Sequence, residues 1–117
     1  MKKFLLGIMI SAVSVPAFAE GSCETLANFA QNVMIARQNG VPLTHALQSL
    51  EKAKIKFTKL AKTKDEKQAL IVTNTAFKYI TVEAYKTPLY STDNYKQREV
   101  SEFSNKVYLD CLNSGDN

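Results

Sequence analysis

Residues 22–40 read SCETLANFAQNVMIARQNG, and this stretch contains the start, the apolar face and the end of one helix. Its apolar positions recur at three- and four-residue steps, which is helical periodicity. These positions are Cys23, Leu26, Ala27, Ala30, Val33 and Met34. Ser22 is a candidate N-cap, and Asn39-Gly40 supplies a left-handed stop. The stretch therefore predicts a first helix that carries a cysteine in its first turn.

Residues 1–19 have the three parts of an export signal. A basic start at residues 2–3 precedes an apolar stretch at residues 4–15, and residues 17–19 read Ala-Phe-Ala, the A-x-A pattern that signal peptidase cleaves. We expect cleavage there and a single helical domain at residues 20–117, located in the periplasm or secreted. An uncleaved anchor is the alternative, although the apolar stretch is shorter than the roughly 20 residues that span a bilayer.

The disulfide prediction follows from this compartment. Cys23 and Cys111 are the only two cysteines, and they form no C-x-x-C motif. Two cysteines in an oxidising compartment predict one intramolecular bridge, with an intermolecular bridge or two free thiols as the alternatives. Closing a loop of this length removes roughly 4 to 5 kcal/mol of unfolded-chain entropy.

The net charge excludes one large class of partners. The chain has 15 Lys+Arg and 11 Asp+Glu, and loss of the two lysines in the signal leaves a net charge of only +2. A nucleic-acid-binding domain needs a larger basic excess concentrated on one face. We therefore expect no nucleic-acid partner.

Further helix boundaries follow the first. Pro42 suits the first turn of a second helix, and Thr63 with Glu66 forms a capping box that opens a third helix, predicted to end near Tyr85. This third helix is the most apolar, so we expect it to be the most buried. The spacing of apolar residues lacks the period-two alternation of a sheet.

The cysteines then predict the topology. Thr92 or Asp93 can cap a fourth helix over residues 94–112. Cys23 lies in the first turn of the first helix and Cys111 in the last turn of the fourth, and a bridge needs their Cα atoms within about 7 Å. These ends share a pole in an up-down-up-down arrangement. The predicted fold is an all-α, four-helix up-down-up-down bundle closed by one disulfide.

The sequence contains no recognisable catalytic motif. His45 is the single histidine and has no Cys, Asp or Glu at ligand spacing, which is typical of a solvated side chain. Nucleophile-elbow, zinc-protease, phosphate-loop and dinucleotide-binding patterns do not occur. The acidic pairs 65–66 and 99/102 fit helix caps and solvated faces. We therefore predict no enzymatic activity, no cofactor and no metal site.

A basic face is one candidate binding surface. Seven lysines lie between residues 52 and 67, and Lys52, Lys56 and Lys59 oppose the apolar stripe of the second helix. Such a face could dock electrostatically to an anionic partner. The alternative is an ordinary solvated helix surface.

A tyrosine-rich segment is the second candidate. Tyr85, Tyr90 and Tyr95 lie close in sequence around Pro88, and tyrosine is enriched in protein interfaces. We assign these four residues as a candidate partner-binding site, the alternative being that they cover the end of the bundle. The first interhelix turn, residues 37–40, lies near or far from this segment depending on the handedness of the bundle.

Short motifs spread over the chain resemble those of small exported proteins from proteobacteria and their prophages, a family with no established activity. The motifs are Cys23, Arg37-Gln38-Asn39-Gly40, Ala84-Tyr85-Lys86-Thr87-Pro88, Phe103, Tyr108 and Cys111. The architecture, exported and helical with one disulfide, is similar to that of periplasmic immunity proteins against type VI secreted amidases and of small periplasmic acid chaperones. These similarities imply an interaction protein by analogy.

The sequence thus predicts a non-enzymatic periplasmic binding protein, in its sharpest form an inhibitor or immunity protein for a cell-envelope enzyme. Its partner would be a protein of the cell envelope, and we expect no stable membrane insertion after signal cleavage. A periplasmic stress chaperone or envelope structural factor is the alternative. An enzyme of another kind is the third possibility.

Overall fold

The computed structural model describes residues 20–115, which form four helices and no strand. The helices are α1 (Glu20–Gln38), α2 (Leu43–Leu60), α3 (Lys64–Tyr85) and α4 (Asp93–Gly115). This confirms the predicted all-α, four-helix fold. The predicted export signal at residues 1–19 lies outside the described residues.

The helix ends follow local signals in the sequence. Gly40 has φ = 85°, the left-handed conformation that ends α1. At the start of α3, Thr63 Oγ1 accepts a hydrogen bond from the Glu66 backbone N–H at 3.0 Å, and Glu66 Oε1 accepts one from the Thr63 N–H at 3.1 Å. The predicted capping box is therefore confirmed.

Two other boundary predictions are resolved. Thr92 Oγ1 accepts a hydrogen bond from the Tyr95 backbone N–H at 3.3 Å, so Thr92 rather than Asp93 caps α4. The prediction that Ser22 caps α1 is wrong, because the helix begins two residues earlier, at Glu20.

The predicted disulfide joins α1 to α4. Cys23 and Cys111 are bonded, with their Cα atoms 5.5 Å apart, and both are buried. Farther along the pair, the Ser104 hydroxyl donates to the Ala27 carbonyl oxygen at 2.9 Å. From the first contact to the second, the residue number rises in α1, from 23 to 27, and falls in α4, from 111 to 104. The two helices are therefore antiparallel, and the disulfide fixes one end of the pair.

Helix α1 lies at the centre of the packing, between α4 and α3. It contributes most of the buried side chains, namely Cys23, Leu26, Ala30, Val33, Met34 and Gln38. Helix α3 contributes Ile80, Thr81 and Ala84. The prediction that α3 is the most buried helix is therefore wrong, because α1 packs extensively on α4 as well as on α3, whereas the second neighbour of α3 is α2, which has no buried residue.

Helix α2 is peripheral. It packs chiefly against α3, has no buried residue, and makes little contact with α1. The part of the chain that the structure describes is correspondingly flat, with extents of 46 × 35 × 16 Å. The apolar stripe of α2 is therefore only partly covered, and the α2–α3 hairpin keeps large apolar side chains in solvent.

Candidate functional site

The side chain of Gln38 anchors the α3–α4 loop, residues 86–92, to the end of α1. Its Nε2 donates a hydrogen bond to the Pro88 carbonyl oxygen at 2.9 Å, and its Oε1 accepts one from the Tyr90 backbone N–H at 2.9 Å. Gln38 is only 2% exposed. Because a buried amide strongly prefers to keep its partners, these bonds hold the loop backbone in one conformation.

Arg37 and Tyr85 add further links between the same two segments. The Arg37 Nε donates to the Thr87 carbonyl oxygen at 2.9 Å, and the guanidinium carbon lies 5.4 Å from the centroid of the Tyr85 ring. The Tyr85 hydroxyl donates to the Val41 carbonyl oxygen at 2.7 Å. Desolvation by burial raises the pKa of Tyr85, and the nearby Arg37 charge partly opposes that rise. The first interhelix turn therefore lies directly beside the tyrosine-rich segment.

The anchored loop and the start of α4 together present a surface whose side chains are exposed, except for the half-buried Tyr90. The Tyr90 and Tyr95 rings stack with centroids 5.8 Å apart and planes inclined by 28°, and the Arg98 guanidinium carbon lies 5.0 Å from the Tyr95 centroid. Tyr95 is 50% exposed and Leu89 is 52% exposed. We call Leu89, Tyr90, Tyr95 and Arg98 the tyrosine surface.

The four predicted partner-binding residues occupy different environments. Pro88, Tyr90 and Tyr95 lie together, at or beside the tyrosine surface. Tyr85 is directed instead toward Arg37 and Val41, where it supports the turn. Three of the four residues thus lie together, whereas Tyr85 contacts the first interhelix turn and stabilises it.

Sequence reasoning did not single out Leu89 and Arg98 as members of this region, and it left open whether the turn that contains Gln38 lies near it. Arg98 follows Tyr95 by three helical positions, a spacing that places the two on one helix face. Gln38 follows Met34 by four positions and so continues the apolar stripe of α1, where a polar residue signals a buried hydrogen-bonding role. Leu89 carries no such signal.

The predicted basic face lies on a separate part of the molecule. Lys52, Lys56 and Lys59 are all exposed on the peripheral helix α2. His45 is also exposed, near the start of that helix. The basic face and the tyrosine surface are therefore distinct candidates that can be tested independently.

A shallow cleft of about 330 Å³ separates the C-terminal half of α1 from the N-terminal half of α4. Charged and amide side chains dominate its lining, including Gln31, Asp93, Lys96 and Gln97. The Lys96 ammonium group donates to the Gln38 carbonyl oxygen. This hydrogen bond holds α4 against the same end of α1 that anchors the loop.

Within residues 20–115, no cluster of three or more His, Cys, Asp or Glu side chains is placed to bind a metal ion. Over the same part of the chain, no helix combines the length and apolar character needed to cross a membrane. Comparisons with protein-family models, with curated proteins and with solved structures gave no match. Functional inference therefore depends on the geometry of the tyrosine surface and the α2–α3 hairpin.

Proposed function

We propose that this protein is a non-enzymatic binding protein of the periplasm, and that it inhibits a cell-envelope enzyme through the tyrosine surface. The observation that carries the proposal is the buried amide of Gln38, which fixes the loop bearing Leu89 and Tyr90. A surface held in its binding conformation before contact loses less conformational entropy on association. Rigid presentation of an aromatic patch is what an inhibitor needs.

The composition of the surface supports a protein partner. Tyrosine and arginine are over-represented among residues that dominate binding energy, and Tyr95 and Arg98 present both in one stack. Leu89 adds an exposed apolar side chain beside them. The disulfide between Cys23 and Cys111 supports an oxidising compartment, as in the periplasm.

The test begins with affinity purification from periplasmic extract of the native host, followed by an activity assay on the purified partner. We expect one stoichiometric partner whose activity falls when the protein binds. Tyr95→Ala should weaken binding about thirtyfold with little salt dependence, because interface hot spots are desolvated. Tyr79→Ala is the matched control, since Tyr79 is 66% exposed and lies on α3 outside the tyrosine surface.

The basic face makes a different prediction in the same assay. If Lys52 and Lys59 bind the partner, Lys52→Glu combined with Lys59→Glu should slow association, and the effect should fade at high salt. A partner that binds Tyr95→Ala as tightly as wild type, or that keeps full activity when bound, would contradict the proposal.

The exposed apolar side chains of the hairpin favour a second candidate, a periplasmic stress chaperone. Ile55, Phe57, Leu60 and Ile71 are all at least half exposed, and chaperones bind unfolded clients through such surface. This function predicts suppression of aggregation of unrelated clients, most strongly in acid, where carboxylates become protonated. Client protection without a fixed partner would favour the chaperone over the inhibitor.

A further inference from the structure

Within residues 20–115, the end of the α2–α3 hairpin extends beyond the start of α1. Phe29 stacks on Phe77 with ring centroids 4.0 Å apart, and the Arg37 side chain donates a hydrogen bond to the Thr87 carbonyl oxygen. In both pairs the second residue number is about fifty higher than the first. Helices α1 and α3 therefore run parallel, and each residue of α1 lies level with the residue about fifty positions later in the chain. The first residue of α1, Glu20, is therefore level with about residue 69 of α3. The start of α3 up to about residue 69, and the end of α2 that packs against it, therefore lie beyond the first residue of α1.

Apolar side chains occupy this projecting end. Phe57 is 50% exposed and Leu60 is 61% exposed. Where the end of α2 meets the start of α3, a shallow depression of about 320 Å³ is lined by Glu66, Ala69 and Thr73 and by the apolar side chains of Phe57, Leu60, Ala61 and Leu70. We call the last four residues the tip patch.

Lysines are concentrated in the segment of the chain that carries most of the tip patch. The seven lysines between residues 52 and 67 are all exposed, and only three carboxylates lie in residues 51–67, which gives a local excess of four positive charges. One of the three, Glu66, accepts hydrogen bonds from the backbone N–H groups of Lys62 and Thr63. The remainder of the chain from residue 20 onward has six cations and eight carboxylates. Positive charge is thus concentrated on the second half of α2 and the start of α3.

Charge and shape together indicate the occupant. A second copy of the chain would bring two tips with the same positive excess together, which like-charge repulsion disfavours. A projecting apolar patch with a cationic rim matches an anionic bilayer surface, where apolar side chains enter the acyl boundary and lysines remain at the phosphates. The lysine stems can extend along the interface while the ammonium groups stay in water.

We propose that the tip of the α2–α3 hairpin binds peripherally to anionic phospholipid bilayers. The hairpin meets the bilayer with its end, so Phe57 and Leu60 enter the interface while Lys56 and Lys59, on the other side of α2, and Lys62, in the following loop, contact the headgroup phosphates. Binding at the tip leaves the tyrosine surface, at the opposite end of α3, free to contact a protein. The proposal stands independently of the inhibitor function.

Tryptophan fluorescence tests the proposal directly, because the chain contains no tryptophan. Leu60→Trp places a reporter in the tip patch, and Leu89→Trp is the matched control at the other end, with similar exposure in the native protein. The oxidised protein should start at Glu20, as verified by intact mass. With phosphatidylcholine vesicles containing one quarter phosphatidylglycerol, we expect a blue shift for Leu60→Trp and none for Leu89→Trp.

Vesicle sedimentation of proteins without a reporter supplies the second measurement. Phe57→Ser with Leu60→Ser, and separately Lys56→Gln with Lys59→Gln, should each weaken binding to the anionic vesicles about tenfold or more. Tyr95→Ala should bind them like wild type. Binding should be much weaker to pure phosphatidylcholine vesicles and should decline as salt rises. Circular dichroism spectra of each variant should be measured to check that it remains helical.

Three results would overturn the proposal. The first is an absence of binding to anionic vesicles at low salt. The second is equal blue shifts for Leu60→Trp and Leu89→Trp, which would show adsorption without orientation. The third is binding to soluble poly-glutamate but not to vesicles, which would indicate that the tip binds an acidic protein and not a bilayer. Because Tyr95→Ala separates the two surfaces, failure here would leave the inhibitor function untouched.

Discussion

Gln38 and Tyr90 are 52 residues apart in the chain, yet the Gln38 side-chain oxygen accepts a hydrogen bond from the Tyr90 backbone N–H at 2.9 Å. The amide nitrogen of the same side chain bonds to the Pro88 carbonyl oxygen. One buried side chain therefore satisfies a donor and an acceptor of the loop, much as a neighbouring strand would. The conformation of the tyrosine surface depends on this contact.

Gln38→Ala should lower the free energy of unfolding by about 2 to 3 kcal/mol, because it leaves the Tyr90 N–H and the Pro88 carbonyl without their partner and opens a cavity. Urea unfolding followed by circular dichroism measures the change. Gln31→Ala is the control, since Gln31 is exposed on the same helix and should change stability by less than about 0.5 kcal/mol. Equal effects of the two substitutions would show that the Gln38 bonds contribute little.

Tyr85→Phe should cost about 1 kcal/mol at neutral pH through loss of the hydrogen bond to the Val41 carbonyl. Burial raises the pKa of Tyr85 in the folded protein. The neutral phenol is thus favoured by folding, and its stabilising contribution is complete below the unfolded pKa of about 10 and is lost as pH rises through the folded value. The stability difference between wild type and Tyr85→Phe should narrow above about pH 10. A difference that stays constant in urea unfolding from neutral to alkaline pH would count against the burial of this hydroxyl.

Thr63→Ala should lower stability by about 1 kcal/mol, because it removes the side-chain cap of α3. Unfolding in urea at neutral pH measures this loss. Thr58→Ala, at an exposed position within α2, is the matched control and should have a much smaller effect. If both substitutions cost the same, the cap does not stabilise α3.

Glu66 should make the stability depend on pH in acid. Hydrogen bonds from the backbone N–H groups of Lys62 and Thr63 lower the pKa of its carboxyl group. The stabilisation that the Glu66 carboxylate provides is therefore present above the pKa of the unfolded state, about 4.3, and is lost as pH falls through the pKa of the folded state. Glu66→Gln should show a shallower loss of stability below about pH 4 than wild type. Asp65→Asn removes one charge from the same helical turn, and a matching change in that variant would assign the effect to net charge instead.

Replacing Cys23 and Cys111 together by serine should lower the free energy of unfolding by about 2 to 5 kcal/mol, because the long loop is no longer closed in the unfolded chain. Wild type unfolded under reducing conditions should approach the stability of the double variant. Mass spectrometry of the native exported protein should show a chain lighter by two hydrogens than its reduced form. Labelling of both thiols in that native protein would reject the bridge.

The sequence determined the helical fold and its main boundaries, since these depend on interactions within a few residues. The capping box of Thr63 and Glu66 and the left-handed stop at Gly40 are local features, and both are present in the structure. The Cys23–Cys111 bridge followed from there being only two cysteines. Local signals mislead at Ser22, because a helix can continue past a good capping residue.

Only the tertiary structure decided which helix lies at the centre and what each surface residue does. Periodicity shows that α1, α2 and α3 each have an apolar stripe, but it does not show how many neighbours cover that stripe. The contact of Gln38 with Tyr90, the contact of Arg37 with Thr87 and the exposure of Phe57 depend on segments brought together from distant parts of the chain. Such contacts form through packing of whole faces, so no short stretch of sequence encodes them.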